Sequence, residues 1–237
     1  MLKLYCVPYS GASATIYSKW TRIVNEGIEI VPLELAGRGR RMKDDFYKDV
    51  DEAAEELSEI IIHDAGDCDY AFFGHSLGAR IIYDVYYKLV DKGFRLPIKI
   101  FFSASKAPQL LCGETKRYQL PDDQFINVVL NYDVNTKAVF ENKELYDIFV
   151  PLIRADFRIY EEYKFDNRED KIVVPVVVFY GESDDTLQIT DIESWREVTS
   201  GEFKLIPFEG THFFINENVT KVVNVVNEEL MQVIGIL

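Results

Sequence analysis

The stretch AFFGHSLGAR, Ala71–Arg80, decides how the rest of the chain is read. An apolar run ends in Gly74, Ser76 stands between small residues, and a segment with helical spacing begins at once. A strand that turns this sharply into a helix forces its central residue into a strained backbone conformation with the side chain exposed. Such a turn tolerates only small residues two places before and two places after. Gly74 and Gly78 hold those places. The first N–H groups of the following helix point toward the serine oxygen, and the Leu77 N–H is placed to stabilise an oxyanion. The segment predicts a strand-turn-helix unit with Ser76 as a nucleophile; the plain alternative is a glycine-containing turn that merely fits sterically.

Outward from this unit, the sequence to about residue 105 alternates short apolar runs with longer amphipathic ones, the signature of βα units around a parallel sheet. LKLYCV, IEIVPLEL, YAFFG and PIKIFFSAS read as strands. ATIYSKWTRIV has helical spacing. DVDEAAEELSEIIIH is an amphipathic helix with acidic residues in its first turn, and GARIIYDVYYKLVDKG is a helix closed by Gly93. Residues 106–166 change character: LPDDQFINVVLNYD and NKELYDIFVPLIRADFRIYEEYKF are helical with no strand between them, a helical insertion. KIVVPVVVFYGESDD and FKLIPFEG return to the sheet, and NVTKVVNVVNEELMQVI is a closing helix with Asn218 as its cap. The expectation is one α/β domain over residues 1–237, with a mostly parallel central sheet flanked by helices.

Composition narrows the function classes. With 237 residues, nearly half of them apolar, the chain can bury a large core. Its longest apolar runs are strand-sized, far short of the roughly 18 residues of a membrane span, and MLKLYCVP lacks the features of a signal peptide. A cytoplasmic protein with no membrane association is expected. Cys6, Cys68 and Cys112 are odd in number, widely separated and without a CxxC pair, so neither a disulfide framework nor a zinc site is expected, and the thiols read as buried or incidental. The net charge of −14 argues against nucleic acid as a partner.

A serine hydroxyl needs a base, and the chain has three histidines. His75 adjoins Ser76, where neighbouring side chains diverge, and reads as packing; His63 reads as a solvated residue at a helix end. His212, in EGTHFF between the last strand and the last helix, is left as the base. The acid that orients it belongs in a loop after a late strand, and FYGESDD offers Asp184, with Asp185 as the alternative. The second oxyanion N–H belongs in the loop after the first strand, CVPYSGASA, from Tyr9 or Ser10.

Taken together, CVPYSGASATIYSKW, PLELAGRGRR, FFGHSLGAR, LPDDQF, PLIRADFRIYEEY, FYGESDD and GTHFF resemble the type II thioesterases that accompany nonribosomal peptide and polyketide synthases. The resemblance covers essentially the whole chain, and LPDDQF and LIRADFRIYEEY, in the variable insertion, separate it from generic hydrolases. It implies an α/β-hydrolase fold with residues 106–166 as a lid, Ser76 as nucleophile, His212 as base and Asp184 as acid. The implied substrate is an acyl or aminoacyl thioester on the phosphopantetheine arm of a carrier protein, hydrolysed through an acyl-enzyme without metal or bound cofactor. The implied role is editing of misloaded or stalled groups. The chain departs from the family pattern at Ser10, where alanine is frequent, at Ala12, where a second glycine is common, at Ala36, where proline is usual, and at Ala79 in place of glycine.

Three finer expectations follow. One of the arginines in GRGRRMK (Arg38, Arg40, Arg41, beside Lys43) contacts the phosphate of the arm, since a planar guanidinium suits phosphate oxygens. The lid aromatics Phe125, Tyr132, Phe149, Phe157 and Tyr160 line an acyl pocket. With no association element in the sequence, the chain is expected to be a monomer whose partners are carrier domains. A carboxylesterase acting on free esters and a non-catalytic receptor of the same fold are the competing readings.

Overall fold

The computed structural model describes residues 1–110, 116–133 and 136–233. Cys112 lies outside them; Cys6 is buried and Cys68 half-buried, and both are free thiols. Six strands, β1 (Leu2–Val7), β2 (Ile28–Pro32), β3 (Asp69–His75), β4 (Ile100–Ser103), β5 (Val176–Gly181) and β6 (Phe203–Phe208), form one sheet in the order β2-β1-β3-β4-β5-β6. Every neighbouring pair is parallel. The helices, in chain order, are α1 (Val50–Ala65), α2 (Leu77–Asp91), α3 (Asp122–Tyr132), α4 (Lys137–Glu141), α5 (Lys143–Glu161), α6 (Ile189–Glu193), α7 (Phe214–Glu217) and α8 (Val219–Val233).

A parallel sheet must be covered on both faces, which is why its strands read as continuous apolar runs. Successive residues of β3 and β4 point to opposite sides. Phe72 and Phe102 join Leu57 and Ile61 of α1 and Ile81, Val85 and Leu89 of α2 on one face. Phe73 and Phe101 join Val222, Val226 and Leu230 of α8, with Tyr17 and Trp20, on the other. Asp49 caps α1 through its side chain, accepting the Glu52 N–H at 2.8 Å.

Three local features differ from the sequence reading. Ala14–Arg22 is a 3₁₀ helix rather than an α-helix. Its buried residues Ala14, Tyr17 and Trp20 recur every three positions, the repeat at which 3₁₀ side chains eclipse along one face. Between β5 and β6 the sequence reading assigns no helix, yet α6 and a 3₁₀ turn at Ser194–Val198 stand there, anchored by Trp195, which stacks on Phe102 with centroids 3.9 Å apart. Asn218 precedes α8 and its carbonyl accepts the Val222 N–H at 3.0 Å, but its side-chain amide is turned to the Glu209 carbonyl at 2.6 Å instead of capping the helix.

The insertion between β4 and β5 carries α3, α4 and α5 around a small core of its own, Phe125, Val129 and Ile153. The chain leaves β1 toward β2 on one side and returns to β3 on the other, so the sheet's order reverses between β1 and β3. Ligands of open parallel sheets bind at the carboxyl ends of strands beside such a reversal. The loop after β1 and the turn after β3 meet there.

Candidate active site

Ser76 follows β3 directly and has φ +54°, left-handed backbone that a residue with a Cβ adopts only under constraint. The constraint is steric. A Cβ on Gly78 would overlap the Val7 carbonyl and lie 2.8 Å from the Pro8 carbonyl oxygen; one on Gly74 would overlap the carbonyl of Gly78 and lie 2.7 Å from the Ala79 nitrogen. The two glycines let α2 start against the end of β1, as the turn requires. The Ser76 N–H donates to the Ser103 carbonyl at 2.7 Å, tying the turn to β4. Ala104, the next residue, has φ +47°, so the two non-glycine residues with positive φ among the described residues are adjacent in space and both line the same cavity.

The structure brings together three side chains from three strand ends. His212 Nε2 lies 3.1 Å from Ser76 Oγ, and His212 Nδ1 lies 2.7 Å from Asp184 Oδ2. An ionised carboxylate only accepts, so Nδ1 carries the proton and Nε2 offers its lone pair to the serine hydroxyl. Thr186 donates its N–H and its hydroxyl to Asp184 Oδ1 at 3.0 and 2.6 Å. Burial acts to raise the Asp184 carboxyl, but the bonds and charge from His212 and the two Thr186 donors outweigh it and hold the group below its ordinary value. Asp185 is exposed, and it is Asp184 that bonds to the histidine. Sequence reasoning missed Thr186; its only signal was a hydroxyl two residues beyond the acid, a common pattern for a loop carboxylate.

His75 does more than pack. Its Nε2 donates to the His212 backbone carbonyl at 2.9 Å, and because a carbonyl only accepts, Nδ1 must accept the Ser103 hydroxyl at 2.8 Å. Burial and the neighbouring His212 hold the ring's pKa well below the usual histidine value, so it stays neutral. Gly181 plays the matching part on β5: a Cβ there would collide with the carbonyls of Thr211 and Gly210. His63 is exposed in the last turn of α1.

Tyr9, Ser10, Gly11 and Ala12 line the opposite wall of the cavity. Pro8 has no N–H, the Gly11 N–H is taken by Asp156 at 2.7 Å and the Ala12 N–H by the Tyr9 carbonyl at 3.1 Å. Of the four loop residues that line the cavity, Tyr9 and Ser10 are those whose N–H groups face no described acceptor. The Leu77 N–H stands at the first turn of α2, where backbone donors have no partner within the helix.

The cavity above these groups has a volume of about 630 Å³ and is roofed by Val129 and Tyr132 of α3, Val139 and Phe140 of α4, and Phe149, Ile153, Phe157 and Tyr160 of α5. The Tyr132 ring packs edge-on to His212, with centroids 5.3 Å apart. Of the five aromatics expected to line it, Phe125 does not: it is buried in the insertion's own core, T-shaped against Phe157. The phosphate role expected of the basic loop fails for Arg38, which is buried and bonded to both oxygens of Asp156. Arg41 is engaged by Asp44 and Glu56, whereas Arg40 and Lys43 are exposed.

Comparison with known proteins gives the family. A family model described as the thioesterase domain matches residues 2–230. The chain is 29% identical to the gramicidin S biosynthesis protein GrsT of Aneurinibacillus migulanus over 99% of this chain and 91% of that protein. It is 30% identical to the medium-chain S-acyl fatty acid synthase thioesterase of Rattus norvegicus, over 93% of this chain and 86% of the relative. The crystal structure of ClbQ from the colibactin NRPS/PKS pathway superposes with a TM-score of 0.93 at 32% identity, covering 100% of this chain and 99% of ClbQ.

Proposed function

The chain belongs to the thioesterase family, within the type II thioesterases of nonribosomal peptide and polyketide pathways, and from that premise we propose that it hydrolyses acyl or aminoacyl thioesters on the phosphopantetheine arm of synthase carrier domains. The observation that carries the reading is the line of hydrogen bonds from Ser76 through His212 to Asp184 at the floor of a roofed, largely apolar cavity. Ser76 Oγ attacks the thioester carbonyl while His212 Nε2 accepts its proton. The oxyanion is held by the Leu77 N–H and by the N–H of Tyr9 or Ser10. His212 returns the proton to the departing sulfur, then activates a water that releases the acid from the acyl-enzyme. Asp184 holds the ring in the required tautomer and balances the imidazolium that forms. The scheme calls for no metal and no bound cofactor beyond the arm carried by the substrate.

Residues 106–166 act as a lid whose aromatic side chains receive the acyl group. A cavity of about 630 Å³ lies well within the ~300–1,000 Å³ range of small-molecule sites and is far larger than an acetyl group needs. This supports acceptance of chains longer than acetyl. Arg40 and Lys43 remain as exposed cations of the basic loop for the phosphate. No helix among the described residues is long and apolar enough to cross a membrane, and we place the enzyme in the cytoplasm as a monomer.

The test is multiple-turnover hydrolysis of acetyl and octanoyl groups on a phosphopantetheinylated carrier domain, beside the same groups on free pantetheine, with Ser76→Ala as control. Preferential turnover of the carrier-bound thioesters, lost in Ser76→Ala, is the expected result. Equal or faster turnover of simple oxygen esters would replace the reading with a general esterase, and stoichiometric binding without turnover would replace it with a receptor.

A further inference from the structure

Arg38 belongs to the basic loop by sequence but not by position. Its Nη1 and Nη2 donate to Asp156 at 2.7 and 2.6 Å, and both side chains are only 3% exposed. Asp156 lies on α5, in the insertion. Its Oδ2 accepts a further bond, from the Gly11 N–H at 2.7 Å. Arg38 also reaches the Ala12 carbonyl at 3.4 Å. Gly11 has φ +79°, and a Cβ on it would lie 2.8 Å from Cγ1 of Ile153, one turn before Asp156 on the same helix. The loop that carries the Tyr9 and Ser10 N–H groups is therefore held to α5 twice, by a charge-assisted hydrogen bond and by close contact.

Stability alone is a weak account of this pair. Burying two opposite charges costs about as much desolvation as their attraction returns, and apolar replacements of similar volume are often neutral or stabilising. What an apolar pair cannot supply is an acceptor for Gly11. Bonding that N–H to a fixed carboxylate sets the plane of the Ser10–Gly11 peptide and, through Ser10, the direction of the N–H groups just before it. Displacing a donor from an oxyanion costs a large factor in rate even when substrate binding is intact.

We propose that Arg38 and Asp156 are positioning residues that fix the oxyanion loop to the lid helix, so that the second oxyanion donor is in place only while α5 is seated over the cavity. The proposal rests on Ser76 being the nucleophile, as above. It links the two segments of the chain, GRG and RADF, that the triad itself leaves unexplained, and it makes lid position a determinant of chemistry as well as of access.

The experiment compares wild type, Asp156→Asn, the double variant Arg38→Met/Asp156→Leu and Ser76→Ala, using octanoyl-pantetheine as substrate. Two inhibitors accompany it: an octyl trifluoromethyl ketone, which forms a tetrahedral adduct with the serine, and the non-hydrolysable octyl-pantetheine thioether, which does not. The double variant is expected to melt within a few degrees of wild type, with kcat down about 10- to 100-fold and KM within about twofold. The ketone should weaken by the same factor as kcat while thioether affinity holds, a split that a purely structural role would not produce. Asp156→Asn, which keeps an oxygen toward Gly11, should fall between. The proposal is overturned if the double variant retains wild-type kcat, or if ketone and thioether weaken together. Should the double variant fail to fold, Asp156→Asn decides: lowered kcat at constant KM supports the proposal and unchanged kcat overturns it. If Ser76→Ala turns over like wild type, the assignment of the nucleophile fails instead, whatever the positioning pair does.

Discussion

Adding one methyl group at Gly78 tests the architecture of the turn more sharply than removing the serine. The Cβ of Gly78→Ala would overlap the Val7 carbonyl and press on the Pro8 carbonyl from 2.8 Å, both backbone atoms that no rotamer change can move aside. Restoring ordinary contact requires the start of α2 and the end of β1 to separate by about 1 Å, and a misplacement of that size costs on the order of 10²-fold in rate. Both proposed oxyanion donors ride on the separating segments, Leu77 on one and Tyr9 or Ser10 on the other, so the loss should fall on kcat. The overpacking itself should cost about 1–3 kcal/mol of stability. The assay is hydrolysis of octanoyl-pantetheine, with urea unfolding in parallel. Gly27→Ala is the control: its φ is +90° but nothing lies within 4 Å of the added Cβ, so it should lose some stability and no activity. A Gly78→Ala enzyme with kcat within threefold of wild type would refute the reasoning, because the turn would then tolerate the bulk that its geometry forbids.

Asp184→Asn should lower kcat by about 10²–10⁴-fold and cost some stability at neutral pH, since the amide still accepts from Thr186 but loses the carboxylate's charge and no longer stabilises the imidazolium. Because the Asp184 carboxyl is held below its ordinary value, its contribution to stability is present above pH 4 and lost only as pH falls further, so it should give no limb in the kcat profile between pH 5 and 9. His75→Ala strands the His212 carbonyl and the Ser103 hydroxyl in the interior, at about 1–3 kcal/mol each, and should reduce kcat by loosening the His212 loop; thermal melts and single-turnover rates check both. Asp84, bonded to the Tyr163 hydroxyl at 2.8 Å, is raised to about 6, mainly by burial, with Tyr163, Arg80 and Lys88 acting to lower it. A raised carboxyl binds its proton more tightly in the folded state, so it favours folding at low pH and that advantage is lost as pH rises through about 6. Asp84→Asn should melt like wild type at pH 3.5 and gain up to about 3 kcal/mol above pH 7.

The sheet was legible because burial on both faces leaves its mark within five or six consecutive residues, as in YAFFG. The turn at Ser76 was legible because its steric demands fall on the sequence neighbours Gly74 and Gly78. Elements whose shape depends on distant partners were not. Ala14, Tyr17 and Trp20 have a spacing that either helix type can bury, and the surface they dock against selects the tighter one. Phe125 and Phe157 lie on neighbouring helices with similar patterns, yet one fills the insertion's core and the other faces the cavity, a difference set by how the helices pack. Within the basic loop, the part played by Arg38 was not legible, because charge was read without position: Arg38 meets a partner 118 residues away, beyond any local pattern.

The three residues of the proposed triad are contributed in the order 76, 184 and 212, with the base on the loop before the last two helices. Synthesis runs from the N-terminus, so the proposed nucleophile is made well before its proposed base. A nascent or truncated chain ending before β6 would present Ser76 without a means to deprotonate it. On that reading, reaction chemistry is withheld until the loop after the final strand is in place, and recovery of turnover after denaturation reports that step.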